Sequence, residues 1–232
     1  MKGNPIMKPL PLAALVAAAM LSTVIVLDVL WNAYNPDLIG PWLDVVAHPQ
    51  LVRFVGVVHS ALYVLLAVAL IQSGRSIDGG RRFVTVTRWI LVGCYGLFAI
   101  MYAALLVDPG FNTSGVYAVA VTVVFAGSLL LPIALGFALL RRRVFRVPAL
   151  LLIAPLVLLP LTLLLEALTS WAHPGYLEIV VNVGLALLCI AASTVEPGAG
   201  PARSAEFARS EESRESAARA VPSTDRESAG SA

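Results

Sequence analysis

Apolar residues recur in six long runs along the chain, at roughly 10–31, 51–72, 87–107, 117–140, 147–168 and 177–194, separated by shorter polar connections. Each run approaches the ~20 residues that an α-helix needs to cross the hydrocarbon of a bilayer. None carries the broad polar stripe with which a surface helix meets water, so the pattern predicts helices solvated by lipid and by one another. The predicted architecture is an all-α membrane protein. A six-transmembrane-helix bundle occupies residues 1–195, and a disordered tail occupies 196–232.

Punctuation refines this outline. Pro9 and Pro11 open the first run, where the leading backbone N–H groups have no helical partner in any case. Its apolar stretch continues to Trp31, too long for the short core of a cleaved signal, so it reads as a retained signal-anchor helix behind Lys2 and Lys8. The connection 35–50 mixes Pro36, Gly40, Pro41 and Pro49 with Leu38, Ile39, Trp42 and Leu43, a composition that predicts a short helix lying on the membrane surface. Gln72 to Arg82 reads as a polar loop turning at Gly79-Gly80. Asp108-Pro109-Gly110 predicts an abrupt helix stop, and Pro132, Pro155 and Pro160 predict kinks within spans. Beyond 195 the chain turns to Ala, Ser, Glu, Arg, Gly and Pro, with too little apolar surface to offset the entropy of ordering.

Composition changes the picture mainly through where charge is placed. With 59% hydrophobic and 13% charged residues, the chain lies outside the range of soluble domains. Of its 16 Lys and Arg, all but Arg53 lie before the first run, at the second and fourth connections, or after the sixth run. That bias predicts a multi-pass protein of the cell membrane with both N- and C-termini cytoplasmic. The arginines then act as topology signals and contacts for anionic headgroups, not as a nucleic-acid site. The bias toward Ala, Val, Leu and Arg over Lys resembles that of a high-GC bacterial proteome. Cys94 and Cys189 both fall within spans and form no CxxC pair, so they read as packed thiols.

Ionisable groups inside a span are costly and are the first candidates for function. Here they gather at the end opposite the arginines. Asp28 lies near the end of the first helix, and His59 lies about 12 Å, at ~1.5 Å per residue, below the start of the second. Glu166 ends the fifth span, and Glu178 and Asn182 begin the sixth. Asp28 with Asn32, His59 with Tyr63, Glu166 with Ser170, and Glu178 with Asn182 are each four apart, which puts each pair on one helix face. The candidate polar cluster is therefore Asp28, His59, Tyr63, Glu166, Glu178 and Asn182, with His48 and His173 on nearby connections. In such a cluster His59 would carry a proton or bind a metal while a carboxylate holds its other ring nitrogen. The competing reading is that polar groups gather at helix ends because water is within reach. Tyr95 and Tyr102 carry hydroxyls that need partners on neighbouring helices.

No HExxH, GxSxG or Walker-type loop occurs, and no metal or cofactor is called for. The leading functional reading is non-enzymatic: a small transport or membrane-accessory protein whose partners are the lipid bilayer and a small solute or proton. A membrane-embedded enzyme using His59 with Asp28 or Glu166 is the second reading. The third is a scaffold whose tail recruits a cytoplasmic protein partner.

Overall fold

The computed structural model describes residues 9–169 and 171–195, with Asn112 described by its backbone alone. The basic start at Lys2 and Lys8, the partner position Ser170 and the tail 196–232 lie outside the described residues. The spans are α1 (Pro9–Tyr34), α2 (Pro49–Gln72), α4 (Arg82–Val107), α5 (Gly115–Leu139), the pair α6 (Arg146–Ile153) and α7 (Pro155–Glu166), and α8 (Gly175–Thr194). A further short helix, α3 (Gly74–Asp78), sits between α2 and α4. Among the described residues six segments are thus long and apolar enough to cross a membrane, and the protein is a multi-pass helical membrane protein in contact with bilayer lipid.

The helix limits follow from local chemistry. Asn35 closes α1 by donating its backbone N–H to the Trp31 carbonyl at 2.8 Å, and Pro36 prevents continuation. At the other end of α4, Asp108 leaves the helix in an extended conformation and its carboxylate accepts the Gly110 N–H, which makes the expected sharp stop. Ser114 caps α5 by accepting the Tyr117 N–H at 3.1 Å. The fifth span breaks at Ala154 because Pro155 has no N–H for the Leu151 carbonyl. Ala154 offers its own N–H to Leu150 and Leu151 together, at 3.0 and 3.2 Å. Pro132, by contrast, is accommodated within an unbroken α5.

The spans close into a ring: α1 on α2, α2 on α4, α4 on α5, α5 on α6, α6 on α8 and α8 on α1. Ala14, Ala17 and Ala18 are fully buried on α1, so small side chains let its backbone come close to its neighbours. Between α2 and α4 the same job falls to Gly56, where a Cβ would stand 2.7 Å from the Tyr102 carbonyl oxygen. Facing outward are Leu12, Val16, Met20 and Leu27 on α1 and Val119, Val123 and Leu130 on α5. In water such a wall would drive aggregation; against acyl chains it carries no penalty.

Two connections differ from their sequence reading. Residues 35–48 form a series of turns, with no surface helix. Pro36 and Pro41 remove donors there, and the Asp44 carboxylate takes the N–H groups of Val46 and Ala47 that a helix would have used. The supposed loop 72–82 instead holds α3, capped by Gly79 at φ +53°, a left-handed conformation that favours glycine. Asp78 at the end of α3 receives both Arg88 Nε and Nη2 at 2.8 Å, while Arg88 Nη1 reaches the Leu70 carbonyl at 3.3 Å. Arg88 is therefore a buried structural cation, 4% exposed, rather than a headgroup contact. Gly74 leaves the room for it, since a Cβ there would lie 2.6 Å from Arg88 Cζ. At the same end Arg142 donates to the Ser76 and Ile77 carbonyls and Arg81 to that of Ala138. These guanidinium groups satisfy carbonyls at the C-termini of α3 and α5. Burial, together with the neighbouring Arg81 charge, lowers the Arg142 guanidinium below its ordinary value.

Candidate functional site

At the end of the ring away from these arginines, a cavity of about 250 Å³ opens between α1, α2, α4 and α8. Asp28, His59, Tyr63, Tyr102, His173 and Glu178 line it, and Trp42 roofs one side. No Lys or Arg belongs to its wall. Its volume falls below the ~300–1,000 Å³ of pockets that hold drug-sized ligands, so it suits a solute of few atoms.

The α2–α4 contact builds the floor. With no side chain at Gly56, the two backbones approach closely enough for the His59 ring to stack on Tyr102, with centroids 4.5 Å apart and planes 13° apart. Tyr63, one helical turn further along α2, stacks on Phe98 at 5.0 Å and leans toward Tyr95 and Tyr102 at 5.7 Å. Three spaced positions on α4 and two on α2 thus form one aromatic layer, which restricts the side chains above it to few arrangements.

Hydrogen bonds tie this layer to α8. The Tyr63 hydroxyl donates to Glu178 Oε1 at 2.6 Å. Asn182, one turn on, donates Nδ2 to the same oxygen at 3.4 Å and accepts the Tyr95 hydroxyl on Oδ1 at 2.7 Å. Asn182 is fully buried, so both ends of its amide are used where water does not reach. Tyr95 therefore finds the neighbouring-helix partner its sequence position demanded.

His59 is 7% exposed, and its Nδ1 lies 2.9 Å from the Val55 carbonyl oxygen, one turn earlier on α2. A carbonyl can only accept, so Nδ1 carries a hydrogen, and Nε2 is left with the lone pair in the neutral ring. Among the described residues Nε2 has no hydrogen-bond partner. The expected carboxylate partner for the ring is thus replaced by the backbone, because residue 55 stands four positions earlier on the same helix face.

Asp28 is held from the connection that follows α1. Gly40 and Pro41 turn the chain back so that Trp42 Nε1 donates to Asp28 Oδ1 at 2.9 Å, with the Trp42 ring edge-on to Trp31 at 6.0 Å. His173 accepts the Gly175 N–H on Nδ1 at 3.1 Å, which places its hydrogen on Nε2 in the neutral ring.

Of the six candidate residues, Asp28, His59, Tyr63 and Glu178 line one cavity, and Asn182 supports it through Glu178. Glu166 is not brought to them; it is exposed near the end of α7 and does not line the cavity. The Pro155 break leaves α7 with few neighbours, so its last turn stands away from the ring. His59 makes no hydrogen bond to Asp28 or Glu166 among the described residues. His48 lies with Asp37 and Asp44 around a separate depression of about 400 Å³. Sequence reasoning missed Trp42, whose only signal was an indole beside a Gly-Pro turn. Among the described residues no three His, Cys, Asp or Glu side chains come together as metal ligands. No protein-family model matches the chain, and no curated protein or solved structure does.

Proposed function

We propose that the chain is a small transport or membrane-accessory protein of a bacterial cytoplasmic membrane, and that its cavity admits a small polar solute from the extracytoplasmic side. The observation that carries this reading is that Asp28, His59 and Glu178, from three different helices, line one space. Polar groups gathered at helix ends only for access to water would point separately outward. The sidedness rests on the basic connections, which by the positive-inside rule put both termini in the cytoplasm and the cavity on the opposite face.

Thiol accessibility tests it. Val24 lines the cavity on α1, whereas Val26, two residues on, is 40% exposed on the outer wall. Thiols react as thiolates, which form in water and not in hydrocarbon. In intact cells, a membrane-impermeant thiol reagent should modify the Val24→Cys chain roughly tenfold faster than the Val26→Cys chain. Peptide mass spectrometry separates the introduced thiol from Cys94 and Cys189. Equal silence at both positions in a folded protein would refute the reading.

A further inference from the structure

On Asp28, His59 and Glu178 the polar atoms left for a solute all accept. Two of the donors on its wall are already spent within the protein: Trp42 Nε1 on Asp28 Oδ1, and the Tyr63 hydroxyl on Glu178 Oε1. What remains unpartnered on the same groups accepts. Asp28 Oδ2 and Glu178 Oε2 have no hydrogen-bond partner among the described residues. His59 Nε2 is the lone-pair nitrogen of a ring whose hydrogen goes to the Val55 carbonyl. The wall thus offers three acceptor groups from α1, α2 and α8, two of them carboxylates, with no Lys or Arg to neutralise them. Two carboxylates on one wall with no cation beside them favour a cationic solute.

We infer that this cavity binds its solute through a primary ammonium group. The inference rests on the cavity being a solute site. A protonated primary amine is a compact cation with three N–H donors and no acceptor, the complement of Asp28, His59 and Glu178. A quaternary ammonium would satisfy the charge but leave the three acceptors without donors. A neutral alcohol brings one hydrogen and no charge, and a carboxylate is repelled. Tyr102 O–H and His173 Nε2–H are the two remaining donors on the wall, positioned for whatever acceptor the rest of the solute carries.

Protection of the introduced thiol decides the matter. The full chain bearing Val24→Cys, or Val55→Cys if the first does not fold, is labelled in the presence of propylammonium, trimethylpropylammonium, 1-propanol or propionate. Saturating propylammonium should slow labelling about tenfold while the other three leave it unchanged. Glu178→Gln keeps an oxygen for Tyr63 but removes a charge, and should raise the propylammonium concentration needed for half-protection by about tenfold or more. Asp28→Asn serves the same purpose if that variant does not fold. Equal protection by trimethylpropylammonium would overturn the role assigned to the three donors. Protection by 1-propanol or propionate in its place would overturn the ammonium itself. Labelling that no probe slows would also overturn it, while leaving the cavity open to solutes of another class. Labelling that never occurs removes the cavity reading, and the ammonium with it.

Discussion

Asp78→Ala removes the carboxylate from a guanidinium whose side chain is only 5% exposed. Arg88 then keeps the Leu70 carbonyl at 3.3 Å and its place 5.0 Å from the Trp89 ring, but loses both of its 2.8 Å bonds. Stripping one partner from a buried pair costs about 3–5 kcal/mol, because the remaining charge is desolvated and unpaired. The two surviving contacts, and the 14% exposure of Asp78, place this case near the lower end of that range. The double variant Asp78→Ala/Arg88→Met removes the stranded charge while keeping most of the aliphatic stem, and should recover all but about 1 kcal/mol. Gly74→Ala gives a third point. Its Cβ would press on Arg88 Cζ at 2.6 Å, so it should destabilise the parent by prising the pair apart and be nearly silent in the double variant. Reversible unfolding in mixed micelles, followed by helical circular dichroism as SDS is titrated, measures all three. A double variant as unstable as Asp78→Ala alone, or a single variant within about 1 kcal/mol of the parent, would refute a buried pair at this turn.

Other contacts give sharper local outcomes on the same titration. Tyr95→Phe leaves the buried Asn182 Oδ1 without its donor and should cost about 1–3 kcal/mol. Gly56→Val must part α2 from α4, because its Cβ would meet the Tyr102 carbonyl at 2.7 Å. It should cost about 1–3 kcal/mol, and a variant as stable as the parent would show that the helices do not approach so closely. Ser114→Ala deletes the cap that receives the Tyr117 N–H and should cost about 1 kcal/mol, whereas Ser114→Asp should restore most of it.

The spans were legible because the hydrophobic requirement of a bilayer is written residue by residue and needs no knowledge of neighbours. So was the stop at Asp108-Pro109, which acts on its own backbone. Boundaries near the arginines were less so. Helix α4 begins at Arg82 rather than 87 because Arg88 is drawn inside by Asp78, a partner ten residues away across a turn. The connection after α1 reads as a membrane-surface helix by composition, yet Asp44 and two prolines divert its N–H groups into turns.

Sequence alone established an all-helical, six-span membrane protein, its basic end, and the depth at which Asp28, His59 and Glu178 lie along their helices. Depth is a one-dimensional property, fixed by distance from a helix end. Which of those groups meet is a matter of rotation and neighbour order, and only the closed ring of helices decided it. Glu166 matched the others in depth and was left outside, because α7 turns away after the Pro155 break. Trp42 belongs to no span, so it had no depth to compare, and it entered because a Gly-Pro turn folds its indole onto Asp28. The His59 tautomer, and with it the acceptor character of the cavity, was likewise settled by a carbonyl that every sequence possesses and only a folded helix aims.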